Sequence, residues 1–246
     1  MDYRTWNLTV YEKIIFRLSV VVVGIGVGWI FYGNVLPGIV IGIILTASEK
    51  KYKEFLITKR KEQLLAQFKD LLYSLSSAVS TGRSLGQAIE ESIKFWEGTY
   101  DESDYIIKEL MLMSKKMRES NISDIDAFKD FAERSDLDDI RDFMTVCKTC
   151  KSTGADFAAA IDKGSEIIEN KIDIERELKS ITAQKRFEGK IVALAPIVII
   201  LAIKLMSPSY MMPLYDTGIG KIISTISLVL TASGFIAIER VNRIEI

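Results

Sequence analysis

Two cysteines, three residues apart, are the first groups in this chain whose type and spacing suit chemistry. Cys147 and Cys150 form one C-x-x-C. A redox pair of this kind belongs at the start of a helix that follows a strand. Here "FMTVCKTCKSTG" reads as the last turns of a helix with no strand beside it. The pair therefore reads first as ordinary helix cysteines, with redox or intersubunit metal chemistry as the alternative. The chain has no histidine, so the commonest general base, the usual zinc ligand and the usual pH switch are all missing. No G-x-x-x-x-G-K-[ST] phosphate loop occurs. The early "GIGVG" lies inside an apolar run, where small residues serve helix packing.

The other chemical concentration is acidic. Between Asp124 and Asp142 stand Asp124, Asp126, Asp130, Glu133, Asp136, Asp138, Asp139 and Asp142, against Lys129, Arg134 and Arg141. One reading is a solvated face with acids gathered at helix N-termini. The other is a docking surface for a basic patch on a partner, with Asp136, Asp138 and Asp139 as its candidates. Without a base or a phosphate loop, the carboxylates define no catalytic constellation, no cofactor site and no metal site.

The elements that must carry these groups follow from composition. The 246 residues hold 32 Lys plus Arg and 33 Asp plus Glu, a formal net charge of −1. A nucleic-acid binder would carry a basic excess. The chain is 48% apolar and also 26% charged, which implies segregation into apolar and charged blocks. The first apolar block runs from Ile14 to Ser48, broken by Gly33, Asn34 and Pro37. With Lys13 and Arg17 at one end and Lys50 to Lys61 at the other, it reads as a hairpin with both ends in the cytosol. Near the other terminus, Ile191–Met206 and Ile222–Ile238 flank the turn-rich "SPSYMMPLYDTGIG". Lys185, Arg186 and Lys190 precede this pair, and Arg240 and Arg243 follow it. Four spans arranged as two hairpins are expected. Lys204, near an outer end, reads as a snorkelling anchor, with contact to an acidic group of another apolar segment as the alternative. Pro196 reads as a kink tolerated among neighbouring helices.

The charged middle shows no strand alternation. Leu64, Leu65, Phe68, Leu71, Leu72, Leu75 and Val79 draw one apolar stripe at helical spacing. Gly82 then ends that helix, Ser84 caps the next, and Gln87 completes a capping box. "STGRSLGQAIEES" (Ser80–Ser92) is echoed by "STGADFAAAIDKG" (Ser152–Gly164), in which Gly154 ends a helix and Asp156 caps the next. A weaker copy, "NISDIDAF", puts Asn121 in the glycine's place and Ser123 at the cap. Three such joints imply six helices, near residues 52–81, 84–97, 102–120, 123–134, 136–152 and 156–190. The expected fold is all-α: an N-terminal transmembrane hairpin over 1–49, a cytosolic six-helix antiparallel bundle over 50–190, and a C-terminal transmembrane hairpin over 191–246.

These residues, followed by "ELKSITAQKR" leading into an apolar span with Pro196 and by the tail "MSPSYMMPLYDTGIGKIISTISLVLTASGFIAIERV", resemble the type II secretion system F domain. The resemblance covers about residues 50–243. The single helical domain is most similar to the shorter members, the platform proteins of tight-adherence (Tad) pili. It implies a non-enzymatic, multi-pass cell-membrane platform that contacts a hexameric secretion ATPase and couples its strokes to lifting pilin subunits. Its partners would be the ATPase, pilins, and a companion platform protein or a second copy, within the lipid bilayer. Two features depart from the family pattern: Asn121 in place of a glycine, and the additional Gly86. Two other classes compete. A transporter or channel subunit needs polar groups deep in the spans, and a membrane-anchored enzyme or sensor needs a catalytic constellation.

Overall fold

The apolar stripe from Leu64 to Leu75 requires a helix with one buried face, and the joints require helices on either side of it. The computed structural model describes residues 2–6, 8–153 and 156–241. Among them every regular element is helical: α1 (Val10–Tyr32), α2 (Val35–Leu45), α3 (Glu49–Ser80), α4 (Leu85–Phe95), α5 (Tyr105–Glu119), α6 (Asp124–Ser135), α7 (Asp138–Thr153), α8 (Phe157–Met206), α9 (Pro208–Asp216) and α10 (Gly218–Val241). A 3₁₀ turn, Thr46–Ser48, joins α2 to α3.

The chain divides into two compact units. The first holds residues 1–7 and 53–174, and the second holds 8–52 and 175–246. Both α3 and α8 pass from one unit into the other. The N-terminal residues belong to the first unit, although the sequence assigned them to the hairpin, and the second division falls inside α8 rather than at residue 190.

In the first unit, Leu64, Phe68, Leu71, Leu72 and Leu75 of α3 are fully or almost fully buried. They meet Ile89 of α4, Leu110 and Met113 of α5, Phe128 and Phe131 of α6, Ile140 of α7 and Ile161 of α8 in one core. Phe68 sits at its centre, 5.6 Å from Phe143 and about 6 Å from Phe128 and Phe131 by ring centroids. Gly164 of α8 lies against Phe143, where a Cβ would come within 2.7 Å of the ring.

In the second unit, α1 and α2 form a hairpin turned by Gly33 (φ +67°) and capped by Asn34, whose Oδ1 accepts from the Leu36 amide at 3.2 Å. Two pairs of glycines four residues apart, Gly24 and Gly28 on α1 and Gly38 and Gly42 on α2, bring the backbones together. Small residues at this spacing are what permit such close helix contact in a membrane.

Among the described residues, three helices are long and apolar enough to cross a membrane: α1, the 50-residue α8, and residues 218–238 of α10. The four spans expected from the sequence are thereby reduced to three of spanning length. Helix α2 has only 11 residues, well short of the roughly 20 a span takes. The "turn-rich" stretch is also largely helical. Pro208 opens α9 at a position where its missing amide costs nothing, and Pro213 is accommodated further along. Helix α8 runs through Pro196 without a break.

Candidate functional site

The joints are built from local hydrogen bonds. Gly82 takes φ +86°, and its amide donates to the Val79 carbonyl at 2.8 Å. Ser84 and Gln87 then make a reciprocal box: the Gln87 amide donates to Ser84 Oγ at 3.3 Å and the Ser84 amide to Gln87 Oε1 at 3.1 Å. Asn121 takes φ +49°, the left-handed turn that asparagine tolerates best after glycine. Ser123 Oγ accepts from the Asp126 amide at 3.1 Å. Asp156 Oδ1 accepts from the Ala159 amide at 3.0 Å at the start of α8. Gly154, the remaining joint residue, lies outside the described residues.

Gly86 stands in the first turn of α4. A Cβ there would meet Met117 Sδ at 3.5 Å and the Asp124 Cβ at 3.6 Å, ordinary contact distances. Gly86→Ala is therefore expected to stabilise the first unit by about 0.5–1 kcal/mol, because it removes unfolded-state freedom without a clash. Equilibrium unfolding with chemical denaturant checks this, and a destabilised variant would show that the turn needs glycine for another reason.

Most of the acidic stretch is paired within the first unit. Asp124 pairs with Lys151. Asp130 accepts from Lys116 at 2.6 Å and from Arg134 at 2.8 Å. Of the three docking candidates, Asp136 is the left-handed link between α6 and α7 (φ +53°) rather than the first residue of a helix. Its carboxylate takes Lys61 at 2.6 Å and Arg4 at 3.5 Å, and the Lys61 hydrogen bond holds it below the ordinary carboxylate range. Asp139 is half-wrapped by Lys171, which donates to both carboxylate oxygens at 2.9 Å. Asp138 alone of the three faces solvent, 82% exposed and, among the described residues, paired with Arg141 of its own helix. The geometry thus favours internal pairing for Asp136 and Asp139, and reversing either charge would strain the fold itself.

Cys147 and Cys150 are free thiols on α7, the first of them buried. Burial, and then the neighbouring Cys150, push the Cys147 thiol up to about 12. The thiolate is the reactive and metal-binding form, so at neutral pH this thiol is inert. Among the described residues no three metal-capable side chains gather in one place.

In the second unit, polar groups gather around the tip of the α1–α2 hairpin. Lys204, near the end of α8, donates to the Trp29 carbonyl and lies 3.6 Å from the Trp29 ring centroid and 5.1 Å from that of Tyr215. Tyr215 on α9 donates to the Ile30 carbonyl at 2.7 Å, and its ring packs on Gly33. The Tyr32 and Thr225 hydroxyls are hydrogen-bonded at 3.0 Å. A cation at the C-terminal end of α1 also meets the negative end of that helix's dipole. Lys204 thus joins α8 to the tip of the α1–α2 hairpin, with aromatic faces on two sides.

A further site escaped the sequence reading. Residues 2–6 lie against the first unit, with the Tyr3 side chain fully buried. The Tyr3 amide donates to the Arg134 carbonyl at 3.1 Å, and Arg4 Nη2 donates to the Glu133 carbonyl at 3.0 Å. Arg60 of α3 donates to the Asp2 and Thr5 carbonyls and lies 4.9 Å from the Tyr3 ring centroid and 5.1 Å from that of Trp6. Tyr105 meets Tyr3 edge-on, with centroids 5.9 Å apart. Burial, and then the nearby Glu109 carboxylate, keep the Tyr3 phenol protonated well beyond its usual range. The available signal was Tyr3 and Trp6 set in a polar segment ahead of an apolar helix. The partner, Arg60, is remote in sequence and looked like one more basic flank.

No protein-family model matches the chain, and comparison with curated proteins and with solved structures finds no match.

Proposed function

We propose that this chain is a non-enzymatic, multi-pass cell-membrane platform for assembling a Tad-like pilus or a type II secretion filament. In this reading the first unit is cytosolic and contacts a hexameric secretion ATPase, and the second unit sits in the bilayer and passes the motion to pilin subunits. Helix α2, extended through the 3₁₀ turn toward the basic residues Lys50 and Lys51, completes the first hairpin; α8 and α10 make the second. Basic flanks at both ends of each hairpin support a cytosolic side for the first unit and both termini. Asp138 is the member of the acidic trio open to a basic patch on the ATPase, and a companion platform protein or a second copy would complete the assembly.

One observation carries the reading. Helix α8 is unbroken from Phe157 to Met206, roughly 75 Å at 1.5 Å per residue. Its first turns, through Ile161 and Ile168, are part of the first unit's core, and its last turns are an apolar span. A helix of that kind transmits a push or a rotation where a flexible linker would absorb it. Inserting Gly-Gly after Glu175 is therefore expected to abolish pilus output while membrane insertion and ATPase pull-down persist. Unchanged output from the inserted chain would overturn the proposal, as would failure of the intact chain to retain any secretion ATPase.

A further inference from the structure

The N-terminal segment combines a buried anchor with weak surroundings. Residues 2–6 contain no helix or strand, yet Tyr3 fills a pocket among Arg60, Tyr105 and Glu109. The backbone partners of the segment are the Glu133 and Arg134 carbonyls at the end of α6, groups that water can satisfy when the segment leaves. Arg60 is 7% exposed and its Nε has no hydrogen-bond partner. A buried donor left unmet weakens the docked state relative to one that water can reach. The remaining core rests on α3 to α8, and the Glu109–Arg134 pair is made without the segment's help. Docked and released states therefore differ by a local change.

The position of the segment in the chain gives that change a consequence. The backbone crosses between the two units at residues 7/8, 52/53 and 174/175. The second crossing lies in α3 and the third in α8, both helical. At the first, three residues of sequence, Asn7, Leu8 and Thr9, separate Trp6 from the start of α1.

We propose that residues 2–6 are a releasable latch on the first unit, with Tyr3 beneath Arg60 as its catch, so that the chain leading toward the first apolar helix is either held by the first unit or released from it. The purpose of such a latch rests on the platform reading; its existence does not, because it can be read on the purified chain alone.

Hydrogen exchange on the full-length protein in lipid nanodiscs tests it. The amides of Tyr3 to Trp6 are expected to exchange at least tenfold faster than those of Leu64 to Leu75, yet slower than a free peptide. Tyr3→Ala should accelerate exchange of the strap segment at least tenfold and let trypsin cleave after the already exposed Arg4, by freeing the backbone around it, with core exchange unchanged. Arg60→Lys keeps the charge and removes the planar stack, so it should give a smaller acceleration in the same place. Strap amides that exchange only together with the core would overturn the latch, as would strap protection indifferent to both substitutions. Should Tyr3→Ala unfold the first unit, Arg60→Lys decides: a core loosened along with the strap makes the segment a structural element and ends the proposal.

Discussion

Arg134→Ala is expected to cost the first unit about 3–5 kcal/mol, the range seen when one partner of a buried ion pair is removed. Arg134 donates to both oxygens of Glu109, at 2.9 and 2.6 Å, and the Glu109 side chain is only 1% exposed. Without the guanidinium, that carboxylate is left in a pocket beside Tyr3 and the α5 core. The Tyr3 phenol stays beside it, but with both guanidinium hydrogen bonds gone its desolvation is much less offset. Removing both partners, as Glu109→Leu with Arg134→Met, should recover much of the loss, since the charge and its penalty disappear together. Denaturant midpoints of the full chain and its variants decide the point, and a loss below about 1 kcal/mol for Arg134→Ala would mean that Glu109 finds water or another donor.

The same network sets a pH dependence. Burial opposes the charged form of Asp130, but hydrogen bonds from Lys116 and Arg134 outweigh it and hold the carboxyl below its ordinary value. A carboxylate depressed in the folded state lends stability above its unfolded value of about 3.9 and loses it as the pH falls through the folded value. The native chain should therefore weaken in acid below about pH 4. Arg134→Ala, which lacks one of the two donors to Asp130, should show a shallower acid decline.

Gly28→Ala is the second large effect, and its contrast with Gly26→Ala gives it force. A Cβ at Gly28 would stand 2.3 Å from the backbone of Gly38, whereas one at Gly26 meets nothing within 4 Å. Backbone cannot rotate aside as a side chain can, so the α1–α2 hairpin must separate along its length. The expected cost is about 3 kcal/mol, the upper end of ordinary overpacking. Gly26→Ala, two residues away in the same apolar helix, should lie within about 0.5 kcal/mol of the native chain. SDS titration followed by tryptophan fluorescence, with Trp29 near the affected contact, separates the two. Equal losses at both positions would mean that the Gly28–Gly38 approach does not govern the hairpin, since helix propensity by itself favours alanine over glycine at both.

The parts of this protein legible in its sequence are those decided within a few residues of chain. The Ser84–Gln87 box, the left-handed turns at Gly82 and Asn121, and the caps at Ser123 and Asp156 each depend on atoms three or four positions apart. The Leu64–Leu75 stripe is legible for the same reason, since a helix converts spacing directly into a face. The sequence also marks where apolar runs begin and end. It did not show that α2 stops after 11 residues or that Pro208–Asp216 is helical, because glycine and proline there permit several local outcomes and the neighbours choose among them.

Distant partners needed the tertiary structure. Asp136 and Asp139 look alike in a run of acids, and only the folded chain gives them to Lys61 and Lys171 while leaving Asp138 in water. Gly38 and Gly42 carry no information until Gly24 and Gly28 arrive against them. Tyr3 and Arg60 are separated by the whole first hairpin, yet one buries the other. Helical periodicity and capping are local and survive in a string of letters; close approach, ion pairing and the N-terminal latch depend on which surfaces the fold brings together.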